Sequence, residues 1–155
     1  MNSQQIQQMQ QFDDCSYQSD FYEWTQEQVR LILSHDWDKV DWKNIAEEIE
    51  SLGRKEKQEL VNRLEILLGH LLKWQYQPHR RGNSWSATIR EQRRKIDRLI
   101  QANPSLKPYI PEAIELAYVD GIDLAVRETN LPLESFPRNC NFTVEQVLDS
   151  AFLPQ

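Results

Sequence analysis

Residues 60–72 read Leu-Val-Asn-Arg-Leu-Glu-Ile-Leu-Leu-Gly-His-Leu-Leu. Leu60, Val61, Leu64, Leu67, Leu68, Leu71 and Leu72 recur at steps of three and four, the period of a helix with a buried face. Their arc is broad, which marks a central helix that touches neighbours on two sides. The pattern extends over 55–77, and Pro78 stops it, because proline disfavours helical backbone in the residue before it.

Working outward, the flanking segments read as further helices. On the N-terminal side, Trp42, Ile45, Ala46, Ile49 and Leu52 fall on one narrow face, with Asp41 as N-cap and Gly53 as the expected stop. Before them, Thr25 with Gln28 has the form of a capping box opening a short helix that ends near His35, and 35–40 reads as a loop. On the C-terminal side, Ser84 is the expected cap of a helix with Trp85, Ile89, Ile96, Leu99 and Ile100 inward. Asn103-Pro104 ends it. A further helix starts around Pro108–Glu112, with Pro111 tolerated in its first turn. Gly121 inside its apolar face implies close approach of another backbone, and Asn130-Leu131-Pro132 closes it. Thr143 with Gln146 opens a last short turn, after which Phe152-Leu153-Pro154 packs back. No run alternates as a strand does. The expectation is an all-α, single-domain bundle of about five helices with short connections and a partly irregular C-terminal tail. Residues 1–16 form a flexible lead and 17–155 the helical domain.

Composition narrows the functional classes. With 39% hydrophobic and 27% charged residues the chain has enough apolar content to fold. Cys15 and Cys140 have no metal-like spacing and read as free thiols in a reducing compartment. No apolar run is long enough to span a membrane, and the Gln-rich start lacks the form of a secretion signal. The expected location is the cytoplasm.

Net charge is −6, unevenly spread. Residues 1–72 carry 7 Lys/Arg against 14 Asp/Glu, residues 73–98 carry 8 against 2, and residues 99–155 carry 3 against 8. The basic segment holds the candidate binding surface: Lys73, Trp74, Tyr76, His79, Arg80, Arg81, Trp85, Arg90, Arg94 and Arg98. The last three are spaced by four and stack in one column, flanked by Arg93 and Lys95. Tryptophan, tyrosine and arginine together are the material of protein–protein hot spots. Cations with stacking aromatics also suit nucleic acid or a nucleotide, against which the acidic remainder of the chain argues. A third possibility is an internal or solvated face, neutralised by acidic residues such as those of 41–52.

Catalytic patterns are incomplete. Glu47, Glu48 and Glu50 with His70 and His79 supply carboxylates and imidazoles, but no Glu-x-x-His or His-Glu-x-x-His motif occurs. Four scattered glycines make no phosphate loop, and neither cysteine has a histidine nearby in sequence. No cofactor or metal is expected. An enzyme working through Glu48 and His70 is the weakest of the readings.

Several strings carry a resemblance. They are Asp20-Phe21-Tyr22-Glu23-Trp24-Thr25; Asp41 to Gly53; and His70-Leu71-Leu72-Lys73-Trp74-Gln75-Tyr76-Gln77-Pro78 followed by Arg81 and Ser84-Trp85. Thr88 to Arg93 and Pro104 to Tyr109 continue it. In order, from about Asp20 to Pro154, they resemble the bacterial family catalogued as domain of unknown function 29. The resemblance implies a small, stand-alone helical protein and supplies no reaction, ligand or catalytic residue. The functional expectation is a non-enzymatic helical module that binds another protein or itself. Nucleic-acid binding through 73–98 is the alternative, and no membrane partner is expected.

Overall fold

The computed structural model describes residues 17–155; the expected flexible lead at 1–16, with Cys15, lies outside them. The described residues are all-α, with no strand among them. They divide between Gly53 and Arg54 into two compact units.

In the N-terminal unit, α1 spans Phe21–Leu33. Its cap is Asp20, whose carboxylate accepts from the Glu23 N–H at 2.9 Å. The expected cap, Thr25, instead lies inside the first turns, its hydroxyl donating to the Tyr22 carbonyl at 2.7 Å. A carboxylate one turn earlier satisfies the free N–H groups and carries the favourable charge for a helix start. Trp24, Gln28 and Leu31 form the buried stripe. His35, at φ 62°, turns the chain into a 3₁₀ turn, Trp37–Lys39.

Helix α2 runs unbroken over Trp42–Tyr76. Asp41 caps it as expected, accepting from the Asn44 N–H at 3.2 Å. Asp41 also accepts from Trp24 Nε1 at 3.2 Å, and its own N–H donates to Gln28 Oε1 at 2.8 Å. The expected stop at Gly53 does not occur. Gly53 has no positive φ, and nothing after it breaks the helix, so its cost of about 1 kcal/mol is absorbed by its neighbours.

The expected inward face of α2's first turns is also corrected. Trp42, Ile49 and Leu52 are 53%, 64% and 59% exposed, and Asn44 is the buried position. The side turned toward α1 is set by polar pairings, Asp41 with Trp24 and Gln28 and Glu48 with Tyr17. These leave the apolar stripe facing outward.

The C-terminal unit is built on α2 from Arg54 onward. Leu60, Leu64, Leu67, Leu68, Leu71 and Leu72 are fully enclosed, as their spacing predicts. Around them pack α3 (Asn83–Ala102) and α4 (Ile110–Thr129), joined by a 3₁₀ segment, Pro104–Tyr109. Gly82, not Ser84, occupies the cap position of α3. Pro111 sits in the first turn of α4, and Asn130, at φ 57°, ends it in left-handed conformation. The tail contains the expected capping box, with Gln146 N–H on Thr143 Oγ1 and Thr143 N–H on Gln146 Oε1, opening α5 (Val144–Leu148). Phe136, Phe142 and Val147 complete the core, with Phe152 packed against it.

Candidate interaction surface

The basic segment separates into cations used inside the fold and cations left outside it. Lys73 projects from the leucine face of α2, and its side chain is 3% exposed. Its ammonium donates to the Glu128 carboxylate of α4, lies 4.5 Å over the Trp85 ring and stands 3.4 Å from His70 Nε2. The Ile66 carbonyl, 2.9 Å from His70 Nδ1, can only accept. Nδ1 therefore carries the proton and Nε2 turns its lone pair to Lys73, a neutral imidazole. Burial pushes the His70 pKa below its ordinary value, and the hydrogen bond from Lys73 holds the Glu128 carboxyl below the usual range.

The aromatics of the segment are engaged as well. Trp74 is half-buried beneath the Arg81 guanidinium, whose carbon lies 5.5 Å from the ring centroid. Arg81 Nε donates to the Trp74 carbonyl at 2.8 Å and Nη2 to the Pro154 carbonyl at 3.4 Å. Tyr76 meets Phe136 edge to face at 5.1 Å. His79 and Arg80 are exposed in a 3₁₀ turn, Pro78–Arg80. Beside that turn lies an open cavity of about 570 Å³, lined by Trp74, Gln75, Pro78, Arg81 and residues 153–155.

Arg93 is the residue whose role sequence reasoning missed. It is 5% exposed, and its guanidinium donates to three main-chain carbonyls: Val147 at 2.9 Å, Phe152 at 2.8 Å and Gln146 at 3.0 Å. Two of these belong to the last turn of α5, whose carbonyls have no partner within the helix. The signal was present. Position 93 stands four after Ile89 and three before Ile96, inside the buried stripe.

What remains outside is a column. Arg90, Arg94 and Arg98 are exposed on α3, and among the described residues none has an ion-pair partner within the chain. Lys95 beside them is paired with Glu91 at 2.5 Å. Of the ten candidate residues, the structure thus puts Arg90, Arg94 and Arg98 on one free face. His79, Arg80 and Arg81 cluster at the turn, and Lys73, Trp74, Tyr76 and Trp85 are taken up by internal packing.

The carboxylate–histidine candidates have partners of their own. Glu48 accepts from the Tyr17 hydroxyl at 2.5 Å, a bond that pushes the Tyr17 pKa up to about 12. His70 is held by Ile66 and Lys73, as above. Among the described residues no group of His, Cys, Asp and Glu has the arrangement of a metal site, and no helix is long and apolar enough to cross a membrane.

Comparison with curated proteins and with solved structures finds no match. A family model does match: that of DUF29, "Domain of unknown function", aligns with residues 16–153, nearly the whole chain and including every quoted string, and the protein belongs to this family.

Proposed function

We propose that the protein is a non-enzymatic helical interaction module that binds another polypeptide through the arginine column of α3. The carrying observation is that Arg90, Arg94 and Arg98 are exposed one turn apart with no ion pair among the described residues. Stacked like charges at i, i+4 repel mildly, so an acidic partner surface gains both attraction and relief of that repulsion. Cytoplasmic residence fits the free thiol of Cys140.

The alternative, nucleic-acid binding by the same segment, gains from the additional exposed cation Arg80. It loses from the aromatics. A single-strand binder stacks bases on free rings, whereas Trp74, Tyr76 and Trp85 are occupied by Arg81, Phe136 and Lys73.

The test is a pull-down from nuclease-treated and untreated lysate with the wild type and an Arg90→Glu/Arg94→Glu/Arg98→Glu variant. Partners retained by wild type after nuclease and lost by the variant support the proposal. Partners kept by the variant, or lost to nuclease, overturn it.

A further inference from the structure

The face that complements the arginine column is carried by the same unit. On the outer side of α4, Glu112, Glu115, Leu116, Val119, Asp120 and Asp123 are all exposed, Leu116 and Val119 by 51% and 64%. Their spacing places them within one arc of the helix. Among the described residues none of the four carboxylates has an ion-pair partner. This differs from a solvated face in two respects. Its middle is apolar where water would favour polar groups, and of its acids only Asp123 has a lysine or arginine at i, i+4 (Arg127), with no ion pair between them, unlike Glu91–Lys95.

The two faces match in length. Arg90 and Arg98 are separated by two turns, about 12 Å along the axis at 1.5 Å per residue. Glu112 and Asp120, and likewise Glu115 and Asp123, have the same separation. Arginine buries its methylene stem on apolar surface while its head reaches charge. The column therefore suits a stripe with Leu116 and Val119 in the middle and carboxylates around them.

We infer that the partner of the arginine column is a second copy of this chain, with α3 of one protomer lying against the Glu112–Asp123 stripe of α4 on the other. This rests on the interaction-module reading and names its occupant. The complementary charges steer encounter and set register, and the Leu116–Val119 centre supplies a contribution that salt does not screen.

The experiment is sedimentation velocity of the full-length, nuclease-treated chain over a wide concentration range at low and high salt. It compares wild type with two exposed-residue variants. One is Arg90→Glu/Arg94→Glu/Arg98→Glu. The other is Glu112→Lys/Glu115→Lys/Asp120→Lys/Asp123→Lys. The wild type is expected to self-associate, more weakly as salt rises. Each variant alone should weaken association by about tenfold or more, with helical content unchanged. Mixing the two should restore it, because the reversed faces complement each other.

A wild type that stays monomeric throughout, or a mixture that fails to reassociate, overturns the inference. The pull-down separates this from the parent proposal. A monomeric wild type whose foreign partner is lost in the arginine variant leaves the module standing and removes only the second copy. Association that vanishes with nuclease treatment overturns self-recognition in favour of a nucleic-acid bridge.

Discussion

Gly69 of α2 and Gly121 of α4 meet backbone to backbone. A Cβ on Gly121 would lie 3.3 Å from the Gly69 nitrogen and 3.2 Å from the Glu65 carbonyl oxygen, and one on Gly69 would lie 3.1 Å from the Gly121 oxygen. The two helices approach as closely as they do because neither carries a side chain at the crossing. Gly121→Leu should therefore overpack the joint and cost roughly 1–3 kcal/mol. Gly53 is the internal control: it lies within α2, and a Cβ there meets nothing within 4 Å. Gly53→Ala should stabilise by about 1 kcal/mol, the helix-propensity difference. Urea denaturation of both variants checks the opposite signs, and an unchanged midpoint for Gly121→Leu would show that face to be open.

Arg93 holds the carbonyls of Gln146, Val147 and Phe152. Arg93→Met keeps the stem and removes the donors, leaving buried acceptors unsatisfied. The expected cost is about 3 kcal/mol, the upper end for an orphaned buried polar group. Limited proteolysis should show faster cleavage within 137–155 before the rest of the unit opens. Uniform protection would mean that the tail is held by Phe142 and Phe152 packing alone.

The Lys73–Glu128 pair is asymmetric, with side chains 3% and 40% exposed. Removing Glu128 strands a buried ammonium, whereas removing Lys73 leaves a carboxylate that water can reach. Glu128→Ala should cost about 3 kcal/mol, near the lower end for breaking a buried pair because Glu128 is partly solvated. Lys73→Met should cost clearly less. Thermal unfolding of both, with equal losses as the refuting outcome, tests this.

Acid should destabilise the fold earlier than carboxylates alone would dictate. His70 has a folded pKa below its ordinary 6.5, so the unfolded chain binds the proton first and stability falls as pH drops below that value. Glu128, lowered from 4.5, contributes stability above that pH and loses it as pH falls further. The melting temperature should thus begin to decline near pH 6.5, and in His70→Gln only in the carboxylate range. Superimposable pH profiles would remove His70 from the account.

The outward face of α2's first turns makes a prediction opposite to its pattern. Ile49→Lys and Leu52→Lys should change stability by no more than about 0.5 kcal/mol, whereas Leu64→Ala in the enclosed stripe should cost about 2–5 kcal/mol. A loss at Leu52 comparable to that at Leu64 would show the face to be covered.

Local signals and broad stripes were legible from the residues alone. The leucines of 60–72, the Asp41 cap, the Thr143–Gln146 box, the Asn130 stop and the close approach at Gly121 each depend on chemistry within a turn or two, or on a face too wide to leave uncovered. Gly53 and the Trp42–Leu52 stripe were misread because neighbours decide them. A glycine ends a helix only if something follows that cannot continue it. A narrow apolar face states a preference for burial without supplying a cover. At the surface, the column of Arg90, Arg94 and Arg98 was visible from spacing. An internal role for the segment was among the readings; which partners Lys73 and Tyr76 would take was not legible, because Glu128 and Phe136 reach them only by tertiary contact. Arg93 lay between the two cases, a charge at a position whose period demanded burial.

The clamp at Arg93 also orders events during synthesis. One of its acceptors lies 59 residues further along the chain. Helices α2, α3 and α4 therefore leave the ribosome while that guanidinium has nothing but water to bind. Helices α3 and α4 can cover the leucine face of α2 before then, but the last pieces of the core, Phe142 and Val147, and the clamp itself wait for the segment that ends at Phe152. Closure of this unit is in that sense delayed relative to the helices it closes over, and a nascent chain arrested before Phe152 should be cleaved by protease within 137–150 while α2, α3 and α4 resist it.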